Sequence, residues 1–156
     1  MAARLAALGL LALGLGLAAP AIAAGARLPG DAEAMVAEIR SAIEARDYRR
    51  FEELVLWKDV GEIKKRIVAF QIRRGLGRRI ESVTLEGLDR NALRAMLADG
   101  RHRLNMPVSR KVRVVYDEAA INGSGKKPTS VFLIGKYRDA YRIGVVVSNS
   151  EDDDGD

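Results

Sequence analysis

One residue in the sequence is of the type most often used as a general acid or base: His102. It is the only histidine, and the chain has no cysteine. Multi-histidine metal centres, thiolate metal sites, cysteine nucleophiles and disulfides are therefore excluded. A lone imidazole can still serve as a general acid or base if an Asp or Tyr stands beside it. The alternation of His102, Leu104 and Met106 against Arg101, Arg103 and Asn105 predicts a strand with His102 on the inward face, within reach of Asp117 and Tyr116. The structural alternative is a half-buried histidine without catalytic duty.

The second chemical signal is charge. Lys64, Lys65, Arg66, Arg73, Arg74, Arg78 and Arg79 fall in sixteen residues that hold no acid. Such a stretch can contact an anion: a phospholipid headgroup, a cell-wall polymer or an acidic protein. It can equally be a solvated helix face. Trp57, Tyr116, Tyr137 and Tyr141 are candidates to line a ligand pocket, with core packing as the alternative. No phosphate loop, dinucleotide fingerprint or metal-ligand spacing occurs, so no cofactor or metal is expected. No aromatic stacking motif accompanies the basic residues, and nucleic acid is not an expected partner.

These residues must be positioned by 156 residues carrying 26 Lys and Arg, 21 Asp and Glu, and a formal charge of +5. Residues 5–26 carry no charge. Arg4 precedes this run, Pro20 interrupts it, and Ala21-Ile22-Ala23 places small residues before a cleavage point. This predicts a secretory signal peptide over 1–23 and a periplasmic or secreted protein, with an uncleaved N-terminal anchor as the alternative. Residues 24–30 read as a linker, 31–148 as one domain, and 149–156 as an acidic, disordered tail. Residues 24–150 hold 25 basic and 16 acidic side chains, so the positive charge belongs to the domain.

Asp31 caps a predicted helix over 32–46, with Met35, Val36, Ile39, Ala42 and Ile43 apolar. Asp47 caps a second helix containing Phe51 and Leu54. Asp59 is expected to cap a third, with Ile63, Ile67, Phe70 and Val68 inward and Gly75 and Gly77 at its end. A strand follows around Val83 and Leu85, then a helix over 89–98. Val112, Val114 and Tyr116 form another strand. Asn122-Gly123-Ser124 is a turn. Residues 131–137 and 141–147 form an antiparallel hairpin across Arg138-Asp139-Ala140. Helices first and antiparallel strands later make the fold class α+β. The predicted core joins Ile39, Ile43, Phe51, Phe70, Val114, Leu133 and Ile143.

The opening helix with Ala45-Arg46-Asp47-Tyr48, Phe51 and Leu54, and the closing runs Phe132–Tyr137 and Asp139–Ile143, resemble the nuclear-transport-factor-2-like superfamily, including its SnoaL-type and cystatin-like members. The helix at 89–98 is longer than that pattern. The resemblance implies N-terminal helices on a strongly curved antiparallel sheet, a cone with a pocket between them. It implies either a non-catalytic binding or interaction module, for a small apolar ligand or a protein partner, or a homodimer. The alternative is a small isomerase- or dehydratase-like enzyme using His102 in the pocket.

Overall fold

The structure, a computed structural model, describes residues 27–120 and 125–149. The signal-peptide reading, the Asn122-Gly123-Ser124 turn and residues 150–156 of the tail lie outside the described residues. Three helices open the chain: α1 (Ala32–Glu44), α2 (Tyr48–Leu54) and α3 (Glu62–Gly75). Then come β1 (Ile80–Gly87), α4 (Arg90–Met96), β2 (His102–Leu104), β3 (Arg110–Tyr116), β4 (Thr129–Tyr137), β5 (Ala140–Ile143) and β6 (Val146–Ser148). The fold is α+β. All strand pairs are antiparallel, in a four-stranded sheet of order β1-β3-β4-β5 and a separate β2–β6 pair.

Local chemistry accounts for the helix starts. The carboxylate of Asp31 accepts the N–H of Ala34 at 2.7 Å, and that of Asp47 accepts Arg50 N–H at 2.9 Å. Each satisfies an N–H that the first helical turn leaves unpaired. Met35, Ile39 and Ile43 recur on one face of α1 and are fully buried against the sheet. Burying each contributes about 1.5–3 kcal/mol. Phe51 from α2 meets Phe132 from β4 with ring centroids 5.2 Å apart and planes tilted by 59°. Val112, Val114, Tyr116, Ile134 and Ile143 complete the core from the strands.

Two expectations about α3 do not hold. Its N-cap is Gly61, with no side-chain capping bond. Asp59 instead adopts φ 58° and pairs with Arg103 at 3.2 Å. The apolar row Ile63, Ile67 and Phe70 faces outward, at 44%, 47% and 60% exposure. The inward face is Val68, Ile72 and Gly75. Both rows have the same spacing, and packing selects the one ending in glycine. A Cβ on Gly75 would sit 2.8 Å from the Tyr116 hydroxyl, so only glycine lets the helix end approach that ring. Phe70 thus leaves the predicted core, and Leu133 is only half-buried.

The closing hairpin is shorter than expected. β4 and β5 pair from Tyr137↔Ala140 to Ile134↔Ile143; the chain then departs, and β6 joins β2. Asn105, the one buried polar residue of the described chain, directs this departure. Its Oδ1 accepts Val145 N–H at 2.9 Å, and its own N–H donates to the Val145 carbonyl at 3.0 Å. Its amide Nδ2 donates to the carbonyls of Leu56 at 2.6 Å and Lys58 at 3.0 Å. The outer edge of β5 is met by Pro29, whose carbonyl accepts Tyr141 N–H at 2.7 Å.

The strand β4 carries a close backbone crossing. A Cβ on Gly135 would overlap the Pro107 carbonyl oxygen and lie 2.9 Å from Val108 Cα. Both neighbours are backbone atoms and cannot swing aside. Gly135→Ala is expected to cost about 1–3 kcal/mol in denaturant melts by overpacking; an unchanged midpoint would contradict the crossing.

Across β1 and β3, Glu86 accepts Arg113 Nε at 2.6 Å and Lys111 Nζ at 3.1 Å. The hydrogen bond from Arg113, then that from Lys111, lowers its carboxyl from the ordinary 4.5 to about 2. A folded-state pKa below the unfolded one means that this contribution is present above pH 4.5 and is lost as pH falls through about 2. The NMR titration midpoint of Glu86 should therefore fall near 2. Arg113→Met should move it up toward the ordinary value, and an unmoved midpoint would contradict the pairing.

Candidate ligand-binding cleft

A cleft of about 830 Å³ separates α3 from the sheet. Its size falls within the range of roughly 300–1,000 Å³ common for ligand pockets. The floor is apolar, formed by Ile43, Phe51, Val55 and Phe132. Val68 and Ile72 from α3 form one wall, and β4 residues 129–133 face them. Gln71, Arg74, Thr129 and Val131 are exposed and mark the side open to solvent. Deep in the cleft the hydroxyls of Tyr116 and Ser130 share a hydrogen bond of 3.1 Å.

The charges in this lining have one sign. Lys64, Arg74 and Arg78 contribute to it, and no carboxylate among the described residues does. Arg78 is held in place: it donates to Glu118 at 2.6 and 2.7 Å, and its guanidinium lies 3.9 Å over the Tyr116 ring. The Glu118 hydrogen bond raises the Arg78 pKa, and Arg78 lowers that of Glu118. Lys64 has no hydrogen-bond or ion-pair partner among the described residues. Arg74 contacts the outward Phe70 ring at 5.8 Å. Two of the three cations are thus not neutralised by an acid of the described chain.

The other sequence candidates lie elsewhere. A second groove of about 650 Å³ runs between α2 and α3 and takes in Trp57, Lys65, Arg66 and Arg73. Unlike the cleft, it is lined by carboxylates, Glu52, Glu53 and Glu62, as well as cations. Lys65 pairs with Glu62 at 2.5 Å, and Tyr48 donates to Glu52 at 3.1 Å. Burial, then the Glu52 hydrogen bond, raises the Tyr48 pKa. Arg73 stacks 4.1 Å over the same Tyr48 ring, and Trp57 donates its indole N–H to the Glu52 carbonyl at 3.1 Å. Tyr137 and Tyr141 are half-buried in the β4–β5 hairpin and line neither space. Of the four aromatic candidates, only Tyr116 reaches the cleft. Arg79 points to solvent, its side chain 82% exposed, 3.7 Å from Asp117.

His102 is not inward. Its side chain is 48% exposed, with Asp99 at 3.6 Å, and it lines neither space. The alternation that placed it inside breaks at Asn105, where Asn105 and Met106 are buried in succession. Val68 faces inward as expected and also lines the cleft; sequence reasoning missed Ser130 and Phe132 as lining residues. Only their positions on a strand face could have signalled them. Among the described residues no group of three or more His, Asp or Glu could hold a metal, and no helix is long and apolar enough to cross a membrane.

The fold and cleft define a small α+β protein with an open, cation-lined, apolar-floored cleft. No known protein-family model matches the chain, and neither curated proteins nor solved structures yield a match.

Proposed function

We propose that the chain is an exported binding module whose cleft takes an amphipathic anion, an apolar tail with a carboxylate or phosphate head. The observation that carries this reading is the one-sided charge of the lining: three cations and no described carboxylate above an apolar floor. The tail would cover Val68 and Phe132, with Phe51 buried beneath them, and the head would meet Lys64 and Arg74. An anionic head desolvated there would accept charge-assisted hydrogen bonds, stronger than neutral ones. A neutral ligand would gain only the apolar part.

The nuclear-transport-factor-2-like resemblance agrees with a pocket between helices and sheet. The cone shape belongs to the same proposal; the four-stranded sheet runs from β1 to β5 without pairing those two strands. Export rests on the uncharged run of 5–26 and Ala21-Ile22-Ala23. No feature of the cleft favours the isomerase- or dehydratase-like alternative, since His102 lies outside it. Calorimetric titration of the chain with dodecanoate tests the reading. Saturable binding is expected; its absence would overturn the proposal.

A further inference from the structure

The outward face of α3 is the largest departure from the sequence expectation, and the cleft does not use it. Ile63, Ile67 and Phe70 form a continuous exposed row, and none of them lines either space. At 1.5 Å rise per residue the row is about 10 Å long. Cations border it. Arg66 and Arg73 lie on one flank, and Arg74 lies beside Phe70, its guanidinium 5.8 Å from the ring. From residue 63 to residue 80 the sequence has no acid.

We infer that this ridge docks the protein on an anionic lipid surface, with Ile63, Ile67 and Phe70 entering the headgroup boundary and Arg66, Arg73 and Arg74 meeting lipid phosphates. A helix with apolar side chains on one strip and cations beside it is the arrangement that lies in a membrane interface. Charge argues against a second copy as the occupant. A two-fold contact would place this ridge against itself and set its cations against their equals. Size argues against a folded protein partner. Three side chains fall far short of the roughly 800 Å² per side that a stable protein interface buries. A bilayer requires no shape complementarity, and its phosphates supply the opposite charge. Ile63, Ile67, Phe70, Arg66 and Arg73 line no part of the cleft, and Arg74 is the one residue the two sites share.

The test is flotation of the full chain with phosphatidylcholine vesicles and with vesicles containing about one-third phosphatidylglycerol. The quantity read is the difference between the two, which removes adsorption through the uncharged run of 5–26. The wild-type chain should favour the anionic vesicles by about tenfold or more, less so as salt is raised. Ile67→Ser with Phe70→Ser should abolish most of that preference, and Arg66→Glu should weaken it. All three positions are exposed, so thermal melts should be unchanged and dodecanoate binding should persist. Equal binding to both vesicle types would overturn the proposal. So would a preference indifferent to the serine pair, or sedimentation equilibrium revealing a dimer that the serine pair dissociates.

Discussion

Asn105→Ala is expected to cost about 3–5 kcal/mol of folding stability. The side chain bonds three backbone groups: the carbonyls of Leu56 and Lys58 and the N–H of Val145. Alanine fills none of these, and the Leu56 carbonyl and Val145 N–H belong to buried residues. A buried polar group left unpaired costs about 1–3 kcal/mol, and at least two are created. Asn105→Asp separates the roles. Its carboxylate could still accept from Val145, but it would face two carbonyl oxygens where an amide had donated. Burial and those oxygens would raise its pKa above the unfolded value of about 3.9. Relative to wild type, this variant should therefore be least destabilised in acid and lose stability as pH rises through that raised pKa. Denaturant melts at several pH values check both variants. A loss under about 1 kcal/mol for Asn105→Ala would mean that the clamp is not a determinant of the fold.

Reversing the charge at the cleft mouth should change binding more than it changes folding. Lys64 is half-buried and Arg74 exposed. Among the described residues, the one cation of the lining fixed by an acid is Arg78, through Glu118. Lys64→Glu with Arg74→Glu should weaken binding of an anionic amphipath by about a hundredfold. Each lost charge-assisted hydrogen bond accounts for about tenfold or more. The melting temperature should move little, because neither residue is paired with an acid of the described chain. Phe51→Ala, at the floor, should instead damage both, since Phe51 is fully buried and packs on Phe132. Calorimetry and thermal melts on the two variants distinguish the outcomes. Retained affinity in the double charge reversal would remove Lys64 and Arg74 from the site.

Much of the framework could be read from the sequence because it depends on local rules. Asp31 and Asp47 cap where their side chains predict, and the alternation at Val112, Val114 and Tyr116 gives β3. Five of the seven predicted core residues, Ile39, Ile43, Phe51, Val114 and Ile143, are buried together. What failed depended on partners distant in sequence. On α3 two rows share the same spacing, Ile63-Ile67-Phe70 and Val68-Ile72-Gly75. They are separated by about 140° on the helix. Periodicity favours the more apolar row, but the close approach of Gly75 to Tyr116 buries the other. The second half of the hairpin was lost in the same way. Asn105 pairs with Val145 across 40 residues and redirects the strand, and no local pattern encodes that. In the candidate site, the cations of α3 were legible as a basic stretch. Their division between the cleft, the second groove and the outer ridge was not, because it follows from which face of the helix is buried.

The most direct test of the central claim varies only the head of the ligand. Calorimetry would compare dodecanoate with dodecyltrimethylammonium, of equal chain length, and with acetate, all below their aggregation concentrations and at low salt. A cleft with an apolar floor and two lining cations, Lys64 and Arg74, that no described acid pairs should bind dodecanoate at one site. It should bind the cationic amphipath about tenfold more weakly or worse, and leave acetate unbound. Equal affinity for the two long-chain heads would contradict the account, and so would tighter binding of the cation.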